Sequence, residues 1–161
     1  MLKKFTVGSW FTVIAAIAGV VGVIFMLKSS NIDTAYAYKT VNTLTLMGVC
    51  GVVLCLLAVW SPTRFGNHDI ISTFGSVGAI GLFMAVVGTM ISDRVLMIAG
   101  LFSYNSQNMV GWRVFYATVT GAVAFVLGVL CLLLSLSYDV VASVFLLPKD
   151  GTRRKAFFLA V

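Results

Sequence analysis

The chain has 161 residues, of which 60% are hydrophobic and 10% charged, with a mean hydropathy of +1.06. A soluble domain gives about 25% of its residues to charge, so this sequence cannot cover a water-facing surface and must use lipid as its solvent. The net charge of +6 does not point to nucleic acid, because the eleven Lys and Arg residues sit at the ends of apolar segments, where snorkelling and anionic headgroups account for them.

A helix needs about 20 apolar residues to cross the hydrocarbon core. Four stretches qualify, at residues 10–27, 40–60, 70–91 and 112–137. The first three contain no charged residue and no proline, and the fourth carries Arg113 only in its first turn. Backbone amides and carbonyls cannot stay unpaired in lipid, and the alternation of a membrane barrel strand is missing, so helices are the only reading. The expected fold is an all-α membrane protein, a four-transmembrane-helix bundle forming a single transmembrane domain over residues 1–161.

Before the first span stand Lys3 and Lys4, and after it Ala35-Tyr36-Ala37 resembles a cleavage site. The apolar run is long for a signal peptide and the site lies well beyond it, so an uncleaved first helix is expected. The first span pairs Ala15 with Gly19 and Ala18 with Gly22, each four residues apart. In the third, Ser72, Gly75, Gly78 and Gly81 recur every three residues, with Gly88 beyond them. The fourth has Ala117 with Gly121 and Ala124 with Gly128. Such faces allow close helix packing, within the chain or against a partner's helix. Between the second and third spans, Asn67 or Asp69 suits a helix N-cap.

The third span is expected to end at Ser92-Asp93-Arg94. The following apolar residues, 95–102, are too few to cross and are expected to lie on the outer surface or re-enter shallowly. A polar run from Ser103 to Asn108 follows, with Asn108 placed to cap the fourth helix. That helix is expected to run on past Tyr138-Asp139 toward Leu147, protruding beyond the bilayer. The tail, residues 148–161, combines Arg153, Arg154 and Lys155 with an apolar end and reads as an interfacial anchor.

With both ends inside, the inner side carries Lys3, Lys4, Arg64, Lys149, Arg153, Arg154 and Lys155. The outer side carries Lys28, Lys39, Arg94 and Arg113. The bias favours an N-in/C-in topology. Aromatic belts fit it, with Trp10, Trp60, Phe65 and Tyr138 at one interface and Tyr36, Tyr38, Tyr104, Trp112 and Tyr116 at the other.

Chemistry is sparse. There is no glutamate; the acids are Asp33, Asp69, Asp93, Asp139 and Asp150, and the only histidine is His68. No acidic residue lies inside a span, which argues against ion-coupled transport. One histidine cannot supply two haem ligands or a His-rich metal site. Cys50, Cys55 and Cys131 lie in apolar runs without a CxxC pair and read as small hydrophobes. No catalytic, cofactor or metal site is expected, and the chain is not expected to be an enzyme. The residues placed to touch a partner or lipid headgroups are Arg94, Tyr104, Trp112 and Arg113 in the outer loop, and Arg153, Arg154 and Lys155 in the tail.

Two pentapeptides, Val53-Leu54-Cys55-Leu56-Leu57 and Val129-Leu130-Cys131-Leu132-Leu133, match closely enough to raise a duplicated hairpin. The stretches Arg64 to Ser72 and Gly100 to Ser106 resemble those of small, uncharacterised four-span proteins of bacterial membranes. The resemblance covers most of the chain and implies a bacterial cytoplasmic membrane, but no activity. The functional expectation is a non-enzymatic membrane subunit or scaffold that binds membrane lipids and another membrane protein, or itself as an oligomer. The alternative is an oligomeric pore or uncoupled small-solute transporter lined by Thr12, Thr43, Thr45, Ser76, Thr89, Thr118 and Thr120. A third expectation is an enzyme acting on lipid through His68 and the aspartates.

Overall fold

Apolar segments that must satisfy their own backbone in lipid fold as helices. The computed structural model describes residues 7–65, 70–104 and 106–145, and within them all side chains but those of 34, 61–65 and 139–145. It contains four helices, α1 (Val7–Asn31), α2 (Val41–Phe65), α3 (Ile70–Ser103) and α4 (Met109–Phe145), with a short 3-10 turn at Thr34–Tyr36. All four are long and apolar enough to cross a membrane, and no strand occurs among the described residues. The protein is an all-α four-helix bundle of the multi-pass membrane class.

The helices form a ring in chain order, closed by α1 against α4, which is the most extensive contact. The start of α1 and the later part of α4 meet at one end, called the termini end. The 3-10 turn and the α3–α4 connection lie at the other, the loop end.

Aromatic side chains from two helices fill the centre. Phe83 of α3 and Phe125 of α4 are fully buried, with ring centroids 5.3 Å apart and planes tilted by 47°. They fit because glycines on the facing helices leave room. A Cβ at Gly51 would stand 2.5 Å from the Phe83 ring, and one at Gly22 would stand 2.9 Å from Phe125. Where α1 crosses α4 the backbones themselves approach, and a Cβ on Gly121 would lie 3.3 Å from the Gly22 carbonyl oxygen. Small-residue contact is the means by which membrane helices gain packing where lipid removes the hydrophobic drive. The sequence reading of compact small-residue faces therefore holds for α1 and α4, and α2 contributes Gly48 and Gly51 as well.

Two expectations change. α3 does not stop at Arg94: it is one helix of 34 residues, about 51 Å long, and residues 95–102 are its last turns. The reason is phase, because the buried stripe of Phe83, Val87 and Met90 continues at helical spacing through Arg94 to Leu101. The matched pentapeptides do not share environments either. Val53 and Leu56 are exposed, whereas Val129 and Leu132 are buried, so the likeness reflects Leu- and Val-rich composition and gives no support to a duplication. The long α4 is observed, at 37 residues. His68, the cap candidates Asn67 and Asp69, and the tail with Arg153, Arg154 and Lys155 lie outside the described residues.

Candidate functional site

Polar groups inside an apolar bundle are costly unless hydrogen-bonded, so each buried one requires an account. At the termini end, the Ser135 hydroxyl of α4 donates to the Gly8 carbonyl of α1 at 2.8 Å. The Thr12 hydroxyl lies 3.0 Å from Ser135 and 3.1 Å from the same carbonyl. Both hydroxyl protons have acceptors, and the cluster is neutral. It ties α1 to α4 and leaves nothing over for a ligand.

The loop end differs because it buries a cation. Arg94 is 3% exposed, in the body of α3. Its guanidinium carbon lies 4.1 Å from the centre of the Tyr38 ring, a cation–π stack. One terminal nitrogen donates to the Ser29 carbonyl of α1 at 3.3 Å, and the other lies 3.9 Å from the Met97 sulfur. Ser29 stands in the last turn of α1, where carbonyls lack helical partners, so Arg94 caps that helix from outside it. Its Nε has no hydrogen-bond partner, and among the described residues no carboxylate pairs with it.

Tyr38 is itself fixed. It is 4% exposed, its hydroxyl lies 3.1 Å from Ser29 Oγ and 3.4 Å from Thr118 Oγ1, and its amide donates to Ser30 Oγ at 3.4 Å. The connection leading to it is folded locally. Asp33 Oδ1 accepts the Ala35 amide at 2.9 Å, and the Asp33 carbonyl accepts from the Tyr36 amide at 3.0 Å, an Asx turn of the kind short acidic residues favour. Asn108 then pins the connection to α4. Its Nδ2 donates to the Tyr36 hydroxyl at 2.8 Å while its Oδ1 accepts the Gly111 amide at 2.9 Å, the expected N-cap. Together Ala35, Tyr36, Ala37, Tyr38, Lys39, Asp93, Arg94 and Met97 line an open pocket of about 280 Å³.

The other contact candidates among the described residues, Tyr104, Trp112 and Arg113, are not in the lining of this pocket. Tyr104 is 86% exposed at the tip of the α3–α4 connection. Trp112 donates through Nε1 to the Ser106 carbonyl at 2.8 Å and stacks edge-on against Phe102 at 5.2 Å and Phe115 at 5.6 Å. Arg113 is exposed. Of the sequence candidates among the described residues only Arg94 lines the pocket, and it reaches it from inside the bundle. Sequence reading placed Tyr38 and Lys39 at the interface without joining them to Arg94, and missed Ser29. The signal that was there is the Met90, Arg94, Leu101 spacing.

The hydroxyls considered as a polar path mostly satisfy their own helices. Thr45, Thr89, Thr118 and Thr120 each donate to the carbonyl four residues back, at 2.7–2.9 Å, the usual arrangement in apolar helices. Among the described residues no three His, Cys, Asp or Glu side chains gather to hold a metal ion.

One further feature lies on the outside of α3. Gly75 packs on the Leu54 carbonyl of α2, but a Cβ on Gly81 or Gly88 would meet no atom within 4 Å. Ala85, between them, is also exposed. These features define a four-span membrane protein with a buried cation at one end and an open small-residue strip on one helix. No protein-family model matches the chain, and no curated protein or solved structure matches it either.

Proposed function

We propose that the chain is a non-enzymatic membrane subunit that binds a helix of another membrane protein along α3. We place it in a bacterial cytoplasmic membrane with both chain ends in the cytoplasm. The observation carrying this is the outward strip of Gly81, Ala85 and Gly88. Glycine in a helix interior costs about 0.5–1 kcal/mol relative to alanine. Gly19, Gly22, Gly48, Gly51, Gly78, Gly121 and Gly128 each face a side chain or backbone of a neighbouring helix, whereas a Cβ on Gly81 or Gly88 would meet no atom within 4 Å. Small residues at that spacing let a second helix approach closely. The orientation rests on the Lys and Arg distribution, which favours the termini end as cytoplasmic.

A photo-crosslinking residue at Ala85, compared with one at Val53 on the exposed face of α2, tests the docking face in native membranes. A discrete adduct from Ala85, absent from Val53 and lost when Gly81→Leu and Gly88→Leu are added, is the expected result; its mass separates a different protein from a second copy. Equal adducts from both faces, or an Ala85 adduct indifferent to the leucines, would refute the reading. Neither leucine meets an atom of the bundle near its Cβ, so the fold is expected to survive. For orientation, single cysteines at Asn31 and Gln107, both exposed, in a chain lacking Cys50, Cys55 and Cys131, should react with an impermeant thiol reagent on intact cells. Protection of both until permeabilisation would invert the assignment.

A further inference from the structure

Among its described lining residues the loop-end pocket carries two cations, Arg94 and Lys39, against one carboxylate, Asp93. We propose that it binds a phosphate group, carried by an anionic membrane lipid or free in solution, with Arg94 as the buried anchor and Lys39 as a second, exposed cation. This is independent of the α3 docking strip and stands or falls separately.

The first argument is unmet donor capacity. A guanidinium presents five N–H donors in a rigid fork suited to phosphate oxygens. Here one meets a carbonyl at 3.3 Å, another a thioether at 3.9 Å, and the Nε meets nothing, although the side chain is 97% removed from solvent. Capping α1 offsets part of the charge, since a helix C-terminus carries about half a negative charge. The remainder, in a setting without a paired carboxylate, is the condition under which a buried charge is most costly. A bound anion relieves it.

The second argument is preorganisation. The Tyr38 ring stands 4.1 Å from the guanidinium carbon, and hydroxyls from α1 and α4 flank the Tyr38 oxygen, so the cation is already held in place before any ligand arrives. Charge balance agrees. Arg94 and Lys39 line the pocket against the single acidic residue Asp93, so cationic side chains outnumber acidic ones. The third argument is position. Arg94 is level with the last turn of α1, a helix of 25 residues, about 37 Å long. Its end therefore stands just past a hydrocarbon core of about 30 Å, at the depth of headgroup phosphates.

The test uses the full chain in alkyl-maltoside micelles, which carry no phosphate, with the thermal unfolding midpoint and native mass spectra as readouts. Phosphatidylglycerol or inorganic phosphate is added. The wild type should gain thermal stability and retain the added species in at least one arm. A response to phosphatidylglycerol alone identifies a headgroup site; a response to inorganic phosphate identifies a site for the free anion. Ala37→Glu is the decisive variant, because Ala37 is exposed and lines the pocket. A glutamate there supplies an internal carboxylate without touching the Arg94 bonds, and the response should disappear. Lys39→Gln should bind about tenfold more weakly, the loss of one charge-assisted bond. No stabilisation in either arm, or an equal response in the Ala37→Glu protein, would overturn the site.

Discussion

The two ends of the bundle bury polar groups in opposite ways. At the termini end, Thr12 and Ser135 share the Gly8 carbonyl, and every proton is accounted for. At the loop end, a cation is enclosed with more donors than acceptors. The comparison separates what holds a membrane bundle together from what makes it receptive. A satisfied neutral cluster strengthens one helix contact and stops there. An under-satisfied charge stores an interaction that something outside the chain can complete.

The largest expected effect comes from reversing the charge at the receptive end. Arg94→Glu would bury a carboxylate over the Tyr38 ring face and against the negative end of α1, with only the exposed Lys39 as a cation in the pocket. It should destabilise the bundle by about 3 kcal/mol or more, read as a lower denaturant midpoint in mixed micelles. A fall no larger than that of a surface substitution would mean that Arg94 is hydrated. At the termini end the effects are smaller and coupled. Ser135→Ala leaves Thr12 a single acceptor and should cost about 1 kcal/mol, whereas Thr12→Val with Ser135→Ala removes both hydroxyls and should cost less than the two single changes summed. Strict additivity in that double-mutant cycle would show that the two side chains do not act together. The smallest effect on stability is expected from Arg94→Met. Relief of charge burial is offset by loss of a cation–π contact of about 0.5–2 kcal/mol, so the unfolding midpoint without added anion should barely move, while stabilisation by anion vanishes. This variant sharpens the contrast most, since it would leave both ends structural.

The glycines teach a parallel lesson about which part of a pattern is used. In α3, Gly75, Gly78 and Gly81 look alike in sequence, yet Gly75 seats on α2 and Gly81 opens outward. Three-residue spacing drifts around a helix of 3.6 residues per turn, so the run wraps from one face to another. The sequence shows that small residues recur; only the placement of α2 decides which of them are filled.

Four apolar helices were legible in the sequence because span length and hydropathy are local quantities, and lipid leaves the backbone no alternative to a helix. The N-cap at Asn108 was legible for the same reason: it needs only neighbours in the chain. The fate of Arg94 was not. Charge next to Asp93 reads as the end of a span, and on its own α3 would have no reason to carry a cation inward. What draws it in lies on other segments: the open carbonyl of Ser29 where α1 ends, and the Tyr38 ring brought over by the 32–40 connection. A free carbonyl and an aromatic face, 65 and 56 residues away in sequence, make burial of the arginine tolerable, and only the packed bundle brings them to it.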